Sequence, residues 1–440
     1  MINNHKEMIM MTIKPQAYTL KNGLTIIMVD TKTFPTLTTM LLVGAGSRFE
    51  NSKNNGIAHF FEHMAFKGSK KYPNSFIISS TIESLGGVFN AFTSKDYTGY
   101  WIKATNEHFD TVIDVLSDMV LNPLLVDEEI NREKGVIVEE INMYQDMPMQ
   151  KVGEVFETLL YKNNPLGYEI TGTKKTVSNF NRQMFVDYIS SLYHPNNATL
   201  IIAGGLGKKD YLKIVEDKFN HWLNKQESKF LKVEEEQTKP EVFFQTKKIE
   251  QTHFCLGFRA YSLLTDKRKK AALSLLSVIL GGGMSSRLFI QVRERRGLCY
   301  YVSTSRESYV DVGNFVTQAG VSNNTDKIKL AIETILKEHK KIISEGIAED
   351  ELKKAKELIK GRLYISLEDS FNIAAYFGRK ILLERKLEQP TDMIKVVEQI
   401  KADEIITVAK EIFKPEKLNL AMISPFEKNQ LQEIESTLNI

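Results

Sequence analysis

The chain has 440 residues, with 58 lysines and arginines against 55 aspartates and glutamates, a formal charge of +3. That balance supplies no electrostatic drive toward nucleic acid or an anionic membrane surface, and no apolar run approaches the roughly 20 residues needed to cross a bilayer. With 42% hydrophobic and 26% charged residues the composition is that of a soluble globular protein, long enough for two or more domains.

The opening stretch, MINNHKEMIMMTIKPQ, has no sustained apolar core and no small-residue cleavage site, so neither a secretory signal nor a transit peptide is expected. YTLKNGLTIIMVD reads as a hairpin turning at Asn22-Gly23, and TTMLLVGAGSRFE as a strand ending in a glycine-rich turn. GIAHFFEHMAFKG follows as a helix, with Asn54 or Asn55 placed to cap its start and Gly68 its end. SFIISSTIESLGG is helical, VFNAFTSKDYTGYWIKAT is strand, turn, strand, and EHFDTVIDVLSDMVLNP is an amphipathic helix stopped by Pro123. A longer helix runs from about Asp127 to Tyr144, and NATLIIAGGL is a strand. The polar stretch KQESKFLKVEEEQTKPE lacks apolar periodicity and reads as a linker.

After it the pattern restarts. QTHFCLGFRAYS matches the earlier strand, and KAALSLLSVILGGG stands where the histidine helix stood, without its histidines. GNFVTQAGVSNNTDKIKLAIETILKE repeats strand into helix at an offset of roughly 215 residues, which is duplication of a whole domain rather than a repeat array. The expected fold is α+β: two homologous halves, each a mostly antiparallel sheet with helices packed on it. They occupy residues 1–225 and 244–440, with a polar linker over 226–243. Cys255 and Cys299 belong to no CxxC pair, which argues against a disulfide framework and fits reduced thiols in the cytoplasm.

The chemistry sits in HFFEH. Residues at i, i+3 and i+4 share one helix face, so His59, Glu62 and His63 project together. Two imidazoles at this spacing can ligate zinc, and the carboxylate between them can take a proton from zinc-bound water without being a ligand. Chance gives HxxEH about once in a hundred chains of this composition or less, and the order is that of the inverzincins. A third ligand is expected downstream, where NREKGVIVEEINMYQD offers Glu133, Glu139 and Glu140. Glu133 and Glu140, seven apart, share a face, while Glu139 is turned about 100° from Glu140; a solvated acidic face would show the same residues.

The chain resembles the pitrilysin/insulinase family of zinc peptidases, in particular its two-domain branch of mitochondrial processing peptidases and their bacterial relatives. That family has HxxEH followed after 76 residues by a glutamate ligand, which lands on Glu140, with a supporting glutamate seven residues earlier at Glu133. The resemblance covers nearly the whole chain and implies one Zn²⁺ per chain on His59, His63 and Glu140, with Glu62 as general base. It makes GGVFNAFTSKDYTGY a substrate-binding edge strand, with Asn90, Ala91 and Phe92 beside the scissile bond; an exposed sheet edge can add a peptide as an extra strand. In GGGMSSRLFIQVRERRGLCYYVS, which composition alone reads as a basic surface helix and a strand, it marks Arg293 and Tyr300 as catalytic contacts to substrate and Phe289 as an aromatic one.

The expected function is a zinc endopeptidase acting on unfolded or short peptides enclosed in a chamber, working as a homodimer without nucleic-acid or membrane partners. Its rivals are a processing peptidase that trims targeting sequences and a non-catalytic core subunit that has lost zinc. His253 reads as structural, and His108, His194, His221 and His339 as isolated.

Overall fold

The computed structural model describes residues 14–225 and 229–438, so the reading of the opening stretch, and three positions of the linker, lie outside the described residues. Among the described residues, eleven strands form two sheets. The first holds β1 (Pro15–Thr19), β2 (Thr25–Asp30), β3 (Thr36–Val43), β4 (Val88–Thr93), β5 (Thr98–Thr105) and β6 (Ala198–Gly204). The second holds β7 (Glu241–Thr246), β8 (Gln251–Ala260), β9 (Cys299–Ser308), β10 (Gly313–Ser322) and β11 (Leu418–Ser424). The Asn22-Gly23 turn closes β1 on β2 as expected, with Gly23 at φ +95°, a conformation that favours glycine.

The strand orders are β1-β2-β6-β3-β5-β4 and β7-β11-β8-β10-β9. Apart from β1 they correspond one to one, including the single parallel pair in each sheet, β2 with β6 and β7 with β11. This is the duplication legible in the sequence. The helix Ile57–Ala65 follows β3, and Lys267–Gly281, which contains no histidine, follows β8. No helix of the described residues is long and apolar enough to cross a membrane.

Each half buries its own core, but one helix of each crosses to the other sheet. Pro148–Leu160, from the first half, places Val152, Phe156 and Leu159 against Cys255, Ala421 and Ile423 of the second sheet. Ser370–Glu384, from the second half, places Ile373, Ala374 and Phe377 against Ile27, Met40, Leu42 and Ile201 of the first. Amphipathicity announces that a face is buried, not which sheet covers it.

A buried arginine joins the halves. Arg48 is 1% exposed; its guanidinium bonds Asp96 in the β4–β5 turn and Asp311 in the β9–β10 turn, each at 2.8 Å. Those two turns are equivalent under the duplication. The linker is fastened to the same place: Phe230 stacks on the Arg48 guanidinium at 3.6 Å, and the Val233 amide donates to Asp311. Gln237 donates to the Leu418 carbonyl at 2.8 Å, and β7 takes in the last three linker positions from Glu241.

Candidate metal centre

The histidine helix is held at its head from outside itself. Gly56 is its N-cap at φ 97°, and neither Asn54 nor Asn55 caps it with a side chain. The Glu50 carboxylate does that work, accepting from the Gly56 and Ala58 amides at 2.8 and 2.9 Å, while the Asn55 amide donates to the same carboxylate. Burial pushes the Glu50 carboxyl up to about 7 despite these donors. A Cβ at Gly56 would meet the Thr171 carbonyl at 2.7 Å, so the entry turn admits no side chain there.

On this helix the two Nε2 atoms of His59 and His63 face one oxygen of Glu140, from the helix Asp127–Gln145, at 3.6 Å each. Ligand atoms of the three residues lie within 4.8 Å of one another. Tetrahedral ligation by nitrogen and oxygen at about 2.0–2.1 Å separates ligand atoms by roughly 3.3 Å, so this donor set fits a zinc ion with little movement. Glu139 points elsewhere; its carboxylate accepts from Asn142.

Glu133, 3% exposed, accepts from His63 Nδ1 at 2.8 Å. That bond puts the imidazole proton on Nδ1 and leaves the Nε2 lone pair for a metal. The Lys67 ammonium lies 2.6 Å from the other Glu133 oxygen. Burial works against charge on His63, but Glu133, Glu140 and Glu62 outweigh it and hold its pKa above the ordinary value. Burial likewise opposes ionisation of Glu133, yet His63 and Lys67 keep its carboxyl below the usual range; hydrogen bonding to His59 leads the same shift at Glu140. A metal cation therefore competes with a proton here, in a pocket of three carboxylates already disposed to positive charge.

Glu62 is beside the cluster and not in it. Its Oε2 accepts the Thr93 hydroxyl at 2.5 Å, and Thr93 ends β4, the open edge of the first sheet. Just past the histidine helix, Phe66 packs on Phe89 of β4 with ring centroids 5.6 Å apart, so edge strand and metal helix are tied together. Asn90, Ala91 and Phe92 lie on this strand. Ala91 packs with the histidine-helix core and Phe92 with the core beneath the crossing helix Ser370–Glu384, so they occupy opposite faces.

Phe289, Arg293 and Tyr300 come together in the second half. The segment Phe289–Glu294 is a π-helical turn, with the Arg295 amide bonded to the Ile290 carbonyl at 2.9 Å. The Arg293 guanidinium carbon is 4.7 Å from the Phe289 ring centre and 5.8 Å from that of Tyr300. Tyr300 is 76% exposed, and among the described residues none of the three bonds to the metal cluster of its own chain. His253 bonds Tyr301, and His339 is buried among Phe258, Phe315 and Phe413, which lowers its pKa to about 3.

Four contributors went unremarked in the sequence: Glu50, Lys67, Thr93 and Tyr144. Lys67 lies four residues beyond His63, and Tyr144, which bonds Glu140, four beyond that ligand, so same-face spacing could have found both. Glu50 and Thr93 act across the fold and leave no local signal.

A sequence model of the insulinase family (peptidase family M16) matches residues 25–174, and one described as the peptidase M16 inactive domain matches 179–359. A Bacillus subtilis protein named an uncharacterized zinc protease is 34% identical over 408 residues, spanning 93% of this chain and 98% of that relative. A Rickettsia felis protein, also named an uncharacterized zinc protease, is 33% identical over 399 residues, 90% of this chain and 94% of the relative. The solved structure of a protease from Helicobacter pylori has the same fold, with TM-score 0.85 and 24% identity over 94% of this chain and 99% of that one. The two matches together span most of residues 25–359, the one described as inactive covering the stretch from 179 on in which the zinc-type histidine pair is not repeated, and the chain belongs to the insulinase family of peptidases, M16, whose zinc suits the donor set of the first half.

Proposed function

We propose that the protein is a zinc-dependent endopeptidase that cleaves unfolded or short peptides within a chamber, with Glu62 as general base. The observation that carries this reading is the Thr93–Glu62 bond, which joins the end of the open edge strand to a carboxylate beside the metal cluster. His59, His63 and Glu140 would hold zinc, which supplies Lewis acidity toward a water and the scissile carbonyl.

The remaining steps fall to this chain's own groups. The β4 edge offers main-chain donors and acceptors to an extended peptide, a pairing largely blind to sequence, with Asn90, Ala91 and Phe92 beside the scissile bond. Thr93 occupies Glu62 Oε2, leaving Oε1 to accept a proton from the attacking water and pass it to the leaving nitrogen. The purified protein should cleave an unfolded peptide, stop on chelation and resume on addition of zinc, while leaving a stable folded protein intact. Chelator-insensitive cleavage, or rapid nicking of folded proteins, would refute it.

Arg293 and Tyr300 complete the site from a second copy in this proposal. An exposed Tyr300 beside a half-buried Arg293 makes no bond to the metal cluster of its own chain among the described residues, and a twofold dimer could present the pair to the partner's zinc. There a cation and a phenol would stabilise the developing oxyanion. Mixing His63→Ala with Tyr300→Phe under conditions of subunit exchange should restore activity neither variant has alone. Proven exchange without recovery would place Tyr300 in the site of its own chain or outside the chemistry.

A further inference from the structure

A cavity of about 950 Å³ lies mostly in the second half, between the helices Lys267–Gly281, Glu349–Ser366, Ser370–Glu384 and Pro390–Gln399, with one end of β9 and Tyr97 of the β4–β5 turn as part of its wall. Six basic and three acidic side chains line it. The acids are already engaged. Glu384 pairs with Lys270 and Lys380 at 3.2 Å each, and Glu388 with Lys380 at 2.9 Å. Asp266 accepts the Arg268 and Lys269 amides at the head of its helix.

Of the four cations that this leaves, Lys267 and Lys386 are exposed, and two are half-buried arginines. Arg379 makes one hydrogen bond, to the Ser308 carbonyl at 3.2 Å. Arg306, from β9, has no hydrogen bond or ion pair among the described residues. The two guanidiniums are close enough to repel: burial, and then the charge of Arg379, push Arg306 below an arginine's ordinary pKa, while Glu307 acts the other way. Glu307 is no counterion in contact, since it forms no ion pair with either arginine and, as the next residue along β9, alternates to the other face of the sheet. Asp96, the other carboxylate that feels Arg379, is taken by Arg48. The Tyr376 hydroxyl is buried without a protein partner on a side chain that lines the same cavity.

Both arginines are half-buried and line the cavity, so the Arg306 guanidinium presents its five donors there with no protein partner and beside a like charge, an arrangement that favours an anion. The geometry points to a ligand that meets them: we propose that the cavity binds an oxyanion, a carboxylate or phosphate group held between Arg306 and Arg379. A planar guanidinium fork matches either group through paired N–H···O bonds, and the volume is in the range that small-molecule sites occupy.

The test is thermal unfolding of the zinc-loaded full chain, titrated with inorganic phosphate and separately with succinate at ionic strength held constant with chloride. At least one should give a saturable rise in Tm. Arg306→Gln and Arg379→Gln should each weaken the apparent affinity about tenfold or more, with zinc content unchanged. A response to phosphate alone assigns a tetrahedral oxyanion, and a response to succinate alone a carboxylate; either supports the site. Without added anion, Arg306→Gln should unfold no lower than the parent, because the charge it removes has no internal partner. No saturable shift with either anion up to about 50 mM, equal affinities in parent and variants, or a marked basal loss in Arg306→Gln would each overturn the proposal.

Discussion

Glu62→Gln is expected to keep its zinc and to lose hydrolysis by about 10²-fold or more, the usual scale for a positioned general base. The three candidate ligands are His59, His63 and Glu140, so the substitution leaves the donor set whole. The amide oxygen of a glutamine can still accept the Thr93 hydroxyl that now donates to Glu62, so the local structure should hold. An amide cannot take a proton from water near neutral pH, and that is the one capacity removed. The loss should appear in kcat, with KM nearly unchanged, because the docking proposed for the β4 edge does not need the proton transfer. Metal analysis beside steady-state kinetics on an unfolded peptide reads both arms. A variant retaining more than about a tenth of parental kcat would remove Glu62 from the chemistry.

Cutting the chain after Lys225 should have an effect of similar severity on folding. Residues 1–225 alone are expected to be insoluble. They would expose Ile27, Met40, Leu42 and Ile201, all 0% exposed in the intact protein, where Phe377 and its neighbours now lie. They would also carry the helix Pro148–Leu160 with no sheet beneath Val152 and Phe156. Burying each such side chain is worth about 1.5–3 kcal/mol, and a whole domain is stable by only about 5–15 kcal/mol. Co-expression of residues 1–225 with 226–440 should restore solubility, with the two pieces co-purifying through a tag on one, since each crossing helix then finds its sheet. A soluble first half that unfolds cooperatively by itself would show that the exchanged helices are dispensable.

These two results concern features that differ in how visible they were. The His59/Glu62/His63 grouping was legible because one helix sets its geometry, and helical periodicity is local. Glu140 needed the resemblance as well, because helical phase separates Glu140 from Glu139 without saying which faces a metal on another element. The strand order was foreshadowed by the 215-residue echo, since duplicated sequence implies duplicated pairing. The crossing of Pro148–Leu160 and Ser370–Glu384 was hidden, as an apolar face does not name its partner. The same is true of Glu50: its acceptors serve the head of a helix six residues on, around a turn whose path no pattern of apolar residues encodes.

Arg48 bears on how such a chain could arise. Asp96 and Asp311 stand at equivalent turn positions, so a group that binds both lies near the axis relating the halves. No arginine stands at the corresponding place in the second half: the Leu263 amide bonds the Tyr309 carbonyl as the Ser47 amide bonds that of Ser94, so the position of Arg48 falls to Leu264. A pair of identical half-length ancestors would have had to bring two arginines, or none, to that one place. Fusion into a single gene would lift that constraint, letting one copy keep the cation and the other shed it. The same licence to diverge would have let one half hold a metal while its twin gave up the histidines.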